Sequence, residues 1–348
     1  MSFKVRIEGS DVTFACEPGQ TVLEAAWQSG VALPHACRQG VCGNCATRVP
    51  EGTVLPKGNL PLRNEVCAND EVLLCAATAG SDLRIAPRHW QSVDPTARKI
   101  YTAKVFSHER PAPDVSVLRL RLPVGQRLRF TAGQYLQLRL PDGGVRSYSM
   151  ANPPHESDGV MLHVRHVPGG QFTRLLSTLS AGDTLQFEAP LGHIALPSED
   201  VRPMVFVAGG TGFAPIKSIL DDWYKRQVQR PITLIWGARG VAGIYLPKAI
   251  DKWRRAWPAM RVVMAISEAQ SVAMNDGPAE GSSAWLEGAF AGRVDQALEA
   301  ICPDLRGHVV YACGSPAMVD AVRKTALDAG LASTDLHADT FVPAAQNA

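Results

Sequence analysis

The chain contains no apolar run long enough to span a bilayer, which excludes a helical membrane anchor within it. Its opening residues, MSFKVRIEGS, alternate polar and apolar side chains and lack the apolar core of a secretory leader. Net charge is small, +2 over 348 residues, which argues against a general nucleic-acid or polyanion binder. Internal repeats and low-complexity tracts are absent too. The expectation is a cytoplasmic protein with no membrane or nucleic-acid partner. In that reducing compartment eight cysteines are metal ligands, redox groups or buried thiols rather than disulfides.

The composition, 46% hydrophobic and 20% charged, is that of an ordinary globular protein, and the length exceeds one core. Phe3, Val5 and Ile7 alternate with polar residues, as do Val12, Phe14 and Cys16, so a hairpin is predicted around Gly9-Ser10-Asp11. Thr21-Val-Leu-Glu24 is a capping box ahead of Ala25, Ala26 and Trp27. Strand, strand, helix and a cysteine loop suggest a small sheet curled round a helix, the β-grasp arrangement. APRHWQSVDPTARK (86–99) shows no period and reads as a linker. From Ile100 to about 198, Leu118, Leu120 and Leu122 alternate, as do Leu136, Leu138 and Leu140, which predicts an antiparallel β-barrel. Beyond 199, MVFVAGG, ITLIWGA, RVVMAIS and HVVYACG are buried-strand runs with helical stretches between some of them, the pattern of a parallel α/β sheet. The expected organisation is therefore 1–90, a linker at 91–99, 100–198 and 199–348.

Cys37, Cys42 and Cys45 follow C-x4-C-x2-C, with Cys75 well downstream in VLLCAATAG. Four thiolates at this spacing are the ligand set of a plant-type [2Fe–2S] cluster. Gly40 and Gly43 let the loop curl and bring N–H groups towards the sulfurs, which stabilises a negative cluster. Zinc prefers paired short spacings and fits poorly with a lone fourth cysteine. Cys67 competes with Cys75 for the fourth place; Cys75 is preferred because it ends an apolar strand. Cys16 and Cys302 read as packing residues.

Arg146-Ser147-Tyr148-Ser149 closes a barrel strand. An arginine can hold a pyrophosphate, an aromatic ring can stack on a flavin, and a hydroxyl can reach a flavin ring nitrogen. Gly169-Gly170-Gln171-Phe172-Thr173 is a glycine turn opening a helix predicted over 172–179, whose first amides suit a phosphate. His163, Val164 and Arg165 lie on the strand between and are expected to pass near the cofactor; His163 can equally be a packed or solvated strand residue, which is the preferred reading. VAGGTGFAP, with Gly210, Thr211 and Gly212, joins a buried strand to an amphipathic helix and suits a nucleotide pyrophosphate. Cys313-Gly314-Ser315-Pro316 ends another core strand, with Ser315 as helix cap. Arg239 favours the 2′-phosphate of NADPH, whereas Glu268 opposes it and favours NADH.

Together these motifs resemble the ferredoxin–NADP⁺ reductase superfamily preceded by a plant-type ferredoxin domain. The domain order resembles the reductase components of bacterial ring-hydroxylating oxygenases, across nearly the whole chain. That resemblance implies an NAD(P)H-dependent oxidoreductase with FAD and a [2Fe–2S] cluster, passing electrons to a Rieske non-haem-iron terminal oxygenase. It implies that Arg146 meets the FAD diphosphate, Tyr148 stacks on the flavin and Ser149 faces N5. It further implies that Gly170 and Thr173 line the phosphates and that Cys313 lies beside the nicotinamide. Phe341 matches the aromatic residue shielding the flavin's other face, and is otherwise a C-terminal packing residue. The resemblance also tips the nucleotide towards NADPH. A similar domain order serves CDP-deoxysugar biosynthesis and other monooxygenases, and a zinc-stabilised nucleotide sensor is the alternative of another class.

Overall fold

The computed structural model describes residues 2–65, 67–193, 196, 199–268 and 289–342. Residue 198, the end expected for the barrel region, lies outside them. Two compact units divide the chain: Met1–Arg98 with Gly192–Leu196 and Ala338–Val342, and Lys99–Leu191 with Pro197–His337 and Pro343–Ala348.

In the first unit, strands Phe3–Ile7 and Thr13–Cys16 pair antiparallel, with Val5 opposite Phe14. Thr21 caps the helix Val22–Gln28, its hydroxyl accepting from the Glu24 amide at 3.2 Å. The helix buries Val22, Leu23, Ala25 and Ala26 against a five-stranded sheet. Phe3–Ile7 runs parallel to Leu83–Ala86 at the centre of that sheet. The expected linker begins as structure: Gln91–Ser92 pairs with Val31–Ala32, and Asp94 caps a short turn at Pro95–Ala97. A two-residue strand is too short to show a period, so sequence pattern missed it.

In the second unit, six strands pair antiparallel in the order Val145–Ser149, Tyr135–Arg139, Thr184–Leu191, Lys99–Ala112, Val115–Arg121, Gly159–Arg165. The alternating leucines 118, 120, 136, 138 and 140 fill the barrel core. The helix after the glycine turn is Gln171–Leu176, shorter than the span predicted from Phe172 to Leu179. The amide N–H groups of Ser177 and Thr178 end it by bonding back to Arg174 and Leu175, and the hydroxyls of the same two residues bond those carbonyls as well.

A second six-stranded sheet follows in the same unit. Met204–Gly209 lies between Ile232–Ala238 and Val309–Gly314 and is parallel to both. Strand order reverses at Met204–Gly209, and the crevice at the carboxyl ends of such a pair is where open α/β sheets bind ligands. Helices Phe213–Arg226 and Pro316–Asp328 start from those two strand ends. No helix among the described residues is long and apolar enough to cross a membrane.

Leu138 is fully buried among the barrel leucines. Leu138→Ala should cost about 2–5 kcal/mol and lower the urea midpoint of barrel unfolding. A midpoint equal to that of the parent chain would show that the barrel core is not packed as described.

Candidate redox-cofactor sites

The cysteine loop of the first unit is curled by three residues with positive φ, Arg38 at 57°, Gly40 at 77° and Gly43 at 79°. Asn64 braces it, donating through Nδ2 to the carbonyls of Gly40 at 2.9 Å and Val41 at 3.1 Å. The loop turns its amides inward: the N–H groups of Gln39 and Cys42 each reach Cys37 Sγ at 3.4 Å. The sulfurs meet as two pairs, Cys37 with Cys42 and Cys45 with Cys75. Among the described residues they do not form a group of three or four about one point. The bond from the Cys42 thiol pulls Cys37 down to about 6, while Cys42 is pushed well up. The Cys45 thiol likewise lowers Cys75 and is itself raised. Cys67 stands apart, bonded to Asn64 Oδ1 at 3.4 Å, its thiol raised by burial.

Two thiol pairs and inward amides suit a [2Fe–2S] cluster, whose ligands are thiolates and whose negative charge N–H donors offset. Behind the loop, Glu24 holds Arg38 at 2.5 Å and Arg98 at 3.2 Å. Burial raises the Glu24 carboxyl, but Arg98 and Arg38 outweigh it and keep it below its ordinary range. Asn44, between Cys42 and Cys45, exchanges two hydrogen bonds with the Ala338 peptide in the same unit: Nδ2 to O at 2.6 Å, and N to Oδ1 at 3.3 Å. Half-buried Phe341 lies three residues further on.

In the second unit the two motifs predicted to hold FAD come together. Arg146 reaches across from the barrel strand to Gln171 Oε1 and also donates to the Val145 carbonyl at 2.8 Å. Tyr148 packs at 5.3 Å on Phe172, and burial pushes its phenol up. Thr173 accepts from the Val167 amide at 3.0 Å, which ties down the turn containing Gly169 (φ 74°) and Gly170. Ser149 is buried at the end of this edge strand and Ser147 is exposed. Arg146 and Tyr148 thus share one strand face beside the glycine turn, a cradle suited to a diphosphate and an aromatic ring. Val164, expected near the cofactor, points its side chain into the barrel core instead. His163 is buried on the opposite face, against Phe213 and Tyr245.

The glycine turn Gly210–Gly212 follows Met204–Gly209 and packs on the end of Val309–Gly314. A Cβ on Gly212 would overlap the Cys313 carbonyl, and one on Gly314 would lie 2.7 Å from Met318 Sδ. Trp236 Nε1 donates to the Gly210 carbonyl at 3.0 Å. Ser315 caps the following helix, accepting from the Met318 amide at 3.4 Å with Pro316 at the first turn. Buried Cys313 and the glycine turn therefore flank the switch point, where a nucleotide has only backbone and small side chains to meet. Arg239 and Glu268 are exposed at neighbouring strand ends, the Glu268 amide bonding the Arg239 carbonyl at 2.9 Å. Sequence reasoning missed Asn64, Phe213, Trp236 and Tyr245 as site-shaping residues. Of these only Phe213 carried a signal, by its place inside the glycine motif.

Three families match along the chain: a 2Fe-2S iron-sulfur cluster binding domain over residues 5–80, an oxidoreductase FAD-binding domain over 102–196 and an oxidoreductase NAD-binding domain over 206–324. The chain is 55% identical over 341 residues to terephthalate 1,2-dioxygenase reductase component 2 of Comamonas sp, covering 98% of each. The chain belongs to this family of three-domain reductases. It is an NAD(P)H-dependent oxidoreductase that uses FAD, a [2Fe–2S] cluster and a pyridine nucleotide. Another member, the CDP-6-deoxy-L-threo-D-glycero-4-hexulose-3-dehydrase reductase of Yersinia pseudotuberculosis, is 33% identical over 344 residues, 99% of each chain. The crystal structure of a cytochrome P450 reductase from Amycolatopsis superposes with a TM-score of 0.75 at 33% identity, covering 98% of this reductase and 99% of the other.

Cys42→Ser should remove the cluster's visible absorbance while leaving FAD bound and ferricyanide reduction by NAD(P)H intact, whereas Cys67→Ser should keep the cluster. Loss of the cluster from Cys67→Ser would reassign the fourth ligand. Gly212→Ala should abolish flavin reduction by NAD(P)H at unchanged FAD content, and normal reduction in that variant would mean the turn yields readily.

Proposed function

We propose that this reductase carries electrons from NADPH to the terminal oxygenase of an aromatic-ring dioxygenase system, one acting on terephthalate through a Rieske non-haem-iron component. The full-length 55% identity to the Comamonas reductase component carries this reading, because it spans all three cofactor regions rather than one. When bound, FAD accepts a hydride and gives up electrons singly, and a plant-type cluster carries one electron at about −400 mV. The chain's own part is to hold, orient and shield. Arg146 and the turn at Gly169–Thr173 hold the flavin's diphosphate, Tyr148 stacks on its ring and Ser149 faces its N5. Gly210, Thr211, Gly212 and Gly314 admit the nucleotide backbone, with Cys313 beside the nicotinamide. Cys37, Cys42, Cys45 and Cys75 would hold the cluster, which would supply one-electron transfer there. The protein works in the cytoplasm.

Arg239 selects the 2′-phosphate against the opposing charge of Glu268. Arg239→Ala should lower the ratio of kcat/KM for NADPH over NADH about tenfold, the scale of one lost charge-assisted contact. An unchanged ratio would clear Arg239 of this role.

Oxygen uptake with purified terephthalate oxygenase, NADPH and terephthalate tests the partner. Substrate-dependent uptake is expected. Turnover only with a deoxysugar dehydrase would instead place the protein beside its Yersinia relative.

A further inference from the structure

Strand Gly159–Arg165 has two faces. Val160, Leu162 and Val164 enter the barrel core, and Met161, His163 and Arg165 alternate with them on the other side. His163 is 4% exposed, and its Nδ1 lies 3.0 Å from Tyr245 Oη, with the rings edge-on at 5.2 Å. Its other neighbour is Phe213, stacked at 6.3 Å. Phe213 directly follows the glycine turn and stacks on Trp236 at 3.8 Å and 9°, and Trp236 in turn holds the Gly210 carbonyl. Tyr245 meets both rings edge-on, Trp236 at 5.2 Å and Phe213 at 6.1 Å. The rings enclose the base of the nucleotide turn, and the Tyr245 hydroxyl bonds that cluster to the barrel strand.

The backbone supports a dedicated placement. Leu246, next to Tyr245, sits in the left-handed region at φ 57°, a conformation that disfavours branched side chains and persists only where the surroundings impose it. Pro247 then opens the helix Pro247–Ala256, and Leu246 packs on Val117, Ala151, Met161 and Ala214. Helix Phe213–Arg226 is fastened separately one turn later, where Lys217 Nζ donates to the Ala151 carbonyl at 3.2 Å and Ser218 Oγ to the Asn152 carbonyl at 2.7 Å.

Protonation makes the bond one-directional. Burial holds His163 down at about 3, with Lys217 and Arg119 adding to the shift, and burial raises the Tyr245 phenol, so both groups stay neutral at working pH. Nε2 of His163 has no partner among the described residues. If Tyr245 donates to Nδ1, one proton is left unpaired; the reverse arrangement leaves a hydroxyl proton and a lone pair unpaired. The first is the smaller loss.

We propose that Tyr245 is a positioning residue for hydride transfer: its hydrogen bond to His163 sets the register of the nucleotide's glycine turn against the flavin-bearing barrel. The proposal rests on the reductase reading. Anaerobic stopped-flow reduction of the full-length FAD-bound protein by NADPH separates the two. If the parent protein's flavin is not bleached, the reductase reading fails. With the parent protein active, Tyr245→Phe, which removes only the hydroxyl, should lower the limiting rate of flavin reduction about tenfold. NADPH Kd should stay within twofold, FAD content should be unchanged, and the long-wavelength nicotinamide–flavin charge-transfer band should weaken. His163→Phe should give the same loss, and the double variant no more than either, since one bond is broken in all three. A limiting rate within twofold of the parent, a change in Kd alone, or losses that multiply in the double variant would overturn it. Failure of both single variants to retain FAD would also overturn it, by making the contact a requirement of folding.

Discussion

The close approach of two backbones at the switch point governs the nucleotide half of this reductase. Gly212 lies so near the Cys313 carbonyl that no side chain fits, and Gly314 is likewise closed in by Met318 and Gly209. Strands Met204–Gly209 and Val309–Gly314 are adjacent and parallel, so their following loops must share one small space. Only glycine leaves that space open to a pyrophosphate while letting the loops touch. The aromatic floor formed by Phe213 and Trp236 then holds the turn from below.

The same economy appears at the other two centres. At the cradle proposed for the flavin, an edge strand supplies Arg146 and Tyr148 on one face, and a short helix brings Gln171 and Phe172 to them. At the cluster loop, positive φ at Arg38, Gly40 and Gly43 turns amides inward, and the sulfurs gather two by two. Each centre is built mostly from backbone direction, with few side chains committed to contact. Such a design suits redox cofactors, whose chemistry is their own and whose surroundings must position and shield them.

Much of this was legible in the sequence because the motifs are local. C-x4-C-x2-C, RSYS, GGQFT, GGTGFAP and CGSP each occupy one short stretch of chain, and alternating leucines announced the barrel. What was not legible depends on chain segments that meet only in the fold. The partner of His163 stands 82 residues away, and nothing near Tyr245 marks it as that partner. Asn64 reaches the cysteine loop from a stretch with no period of its own. Cys75 was preferred over Cys67 from its apolar strand end; that Cys67 bonds Asn64 and Cys75 meets Cys45 could be seen only in the fold. The linker strand Gln91–Ser92 escaped because two residues cannot display alternation.

One polypeptide converts a hydride into single electrons with a flavin and an iron–sulfur centre. Anaerobic titration of the purified protein with NADPH, followed by absorbance and by electron paramagnetic resonance, tests it most directly. The account predicts that flavin and cluster bleach together and that a reduced [2Fe–2S] signal grows in. Protein lacking FAD and acid-labile sulfide after anaerobic reconstitution, or a flavin that bleaches while the cluster stays oxidised, would contradict it.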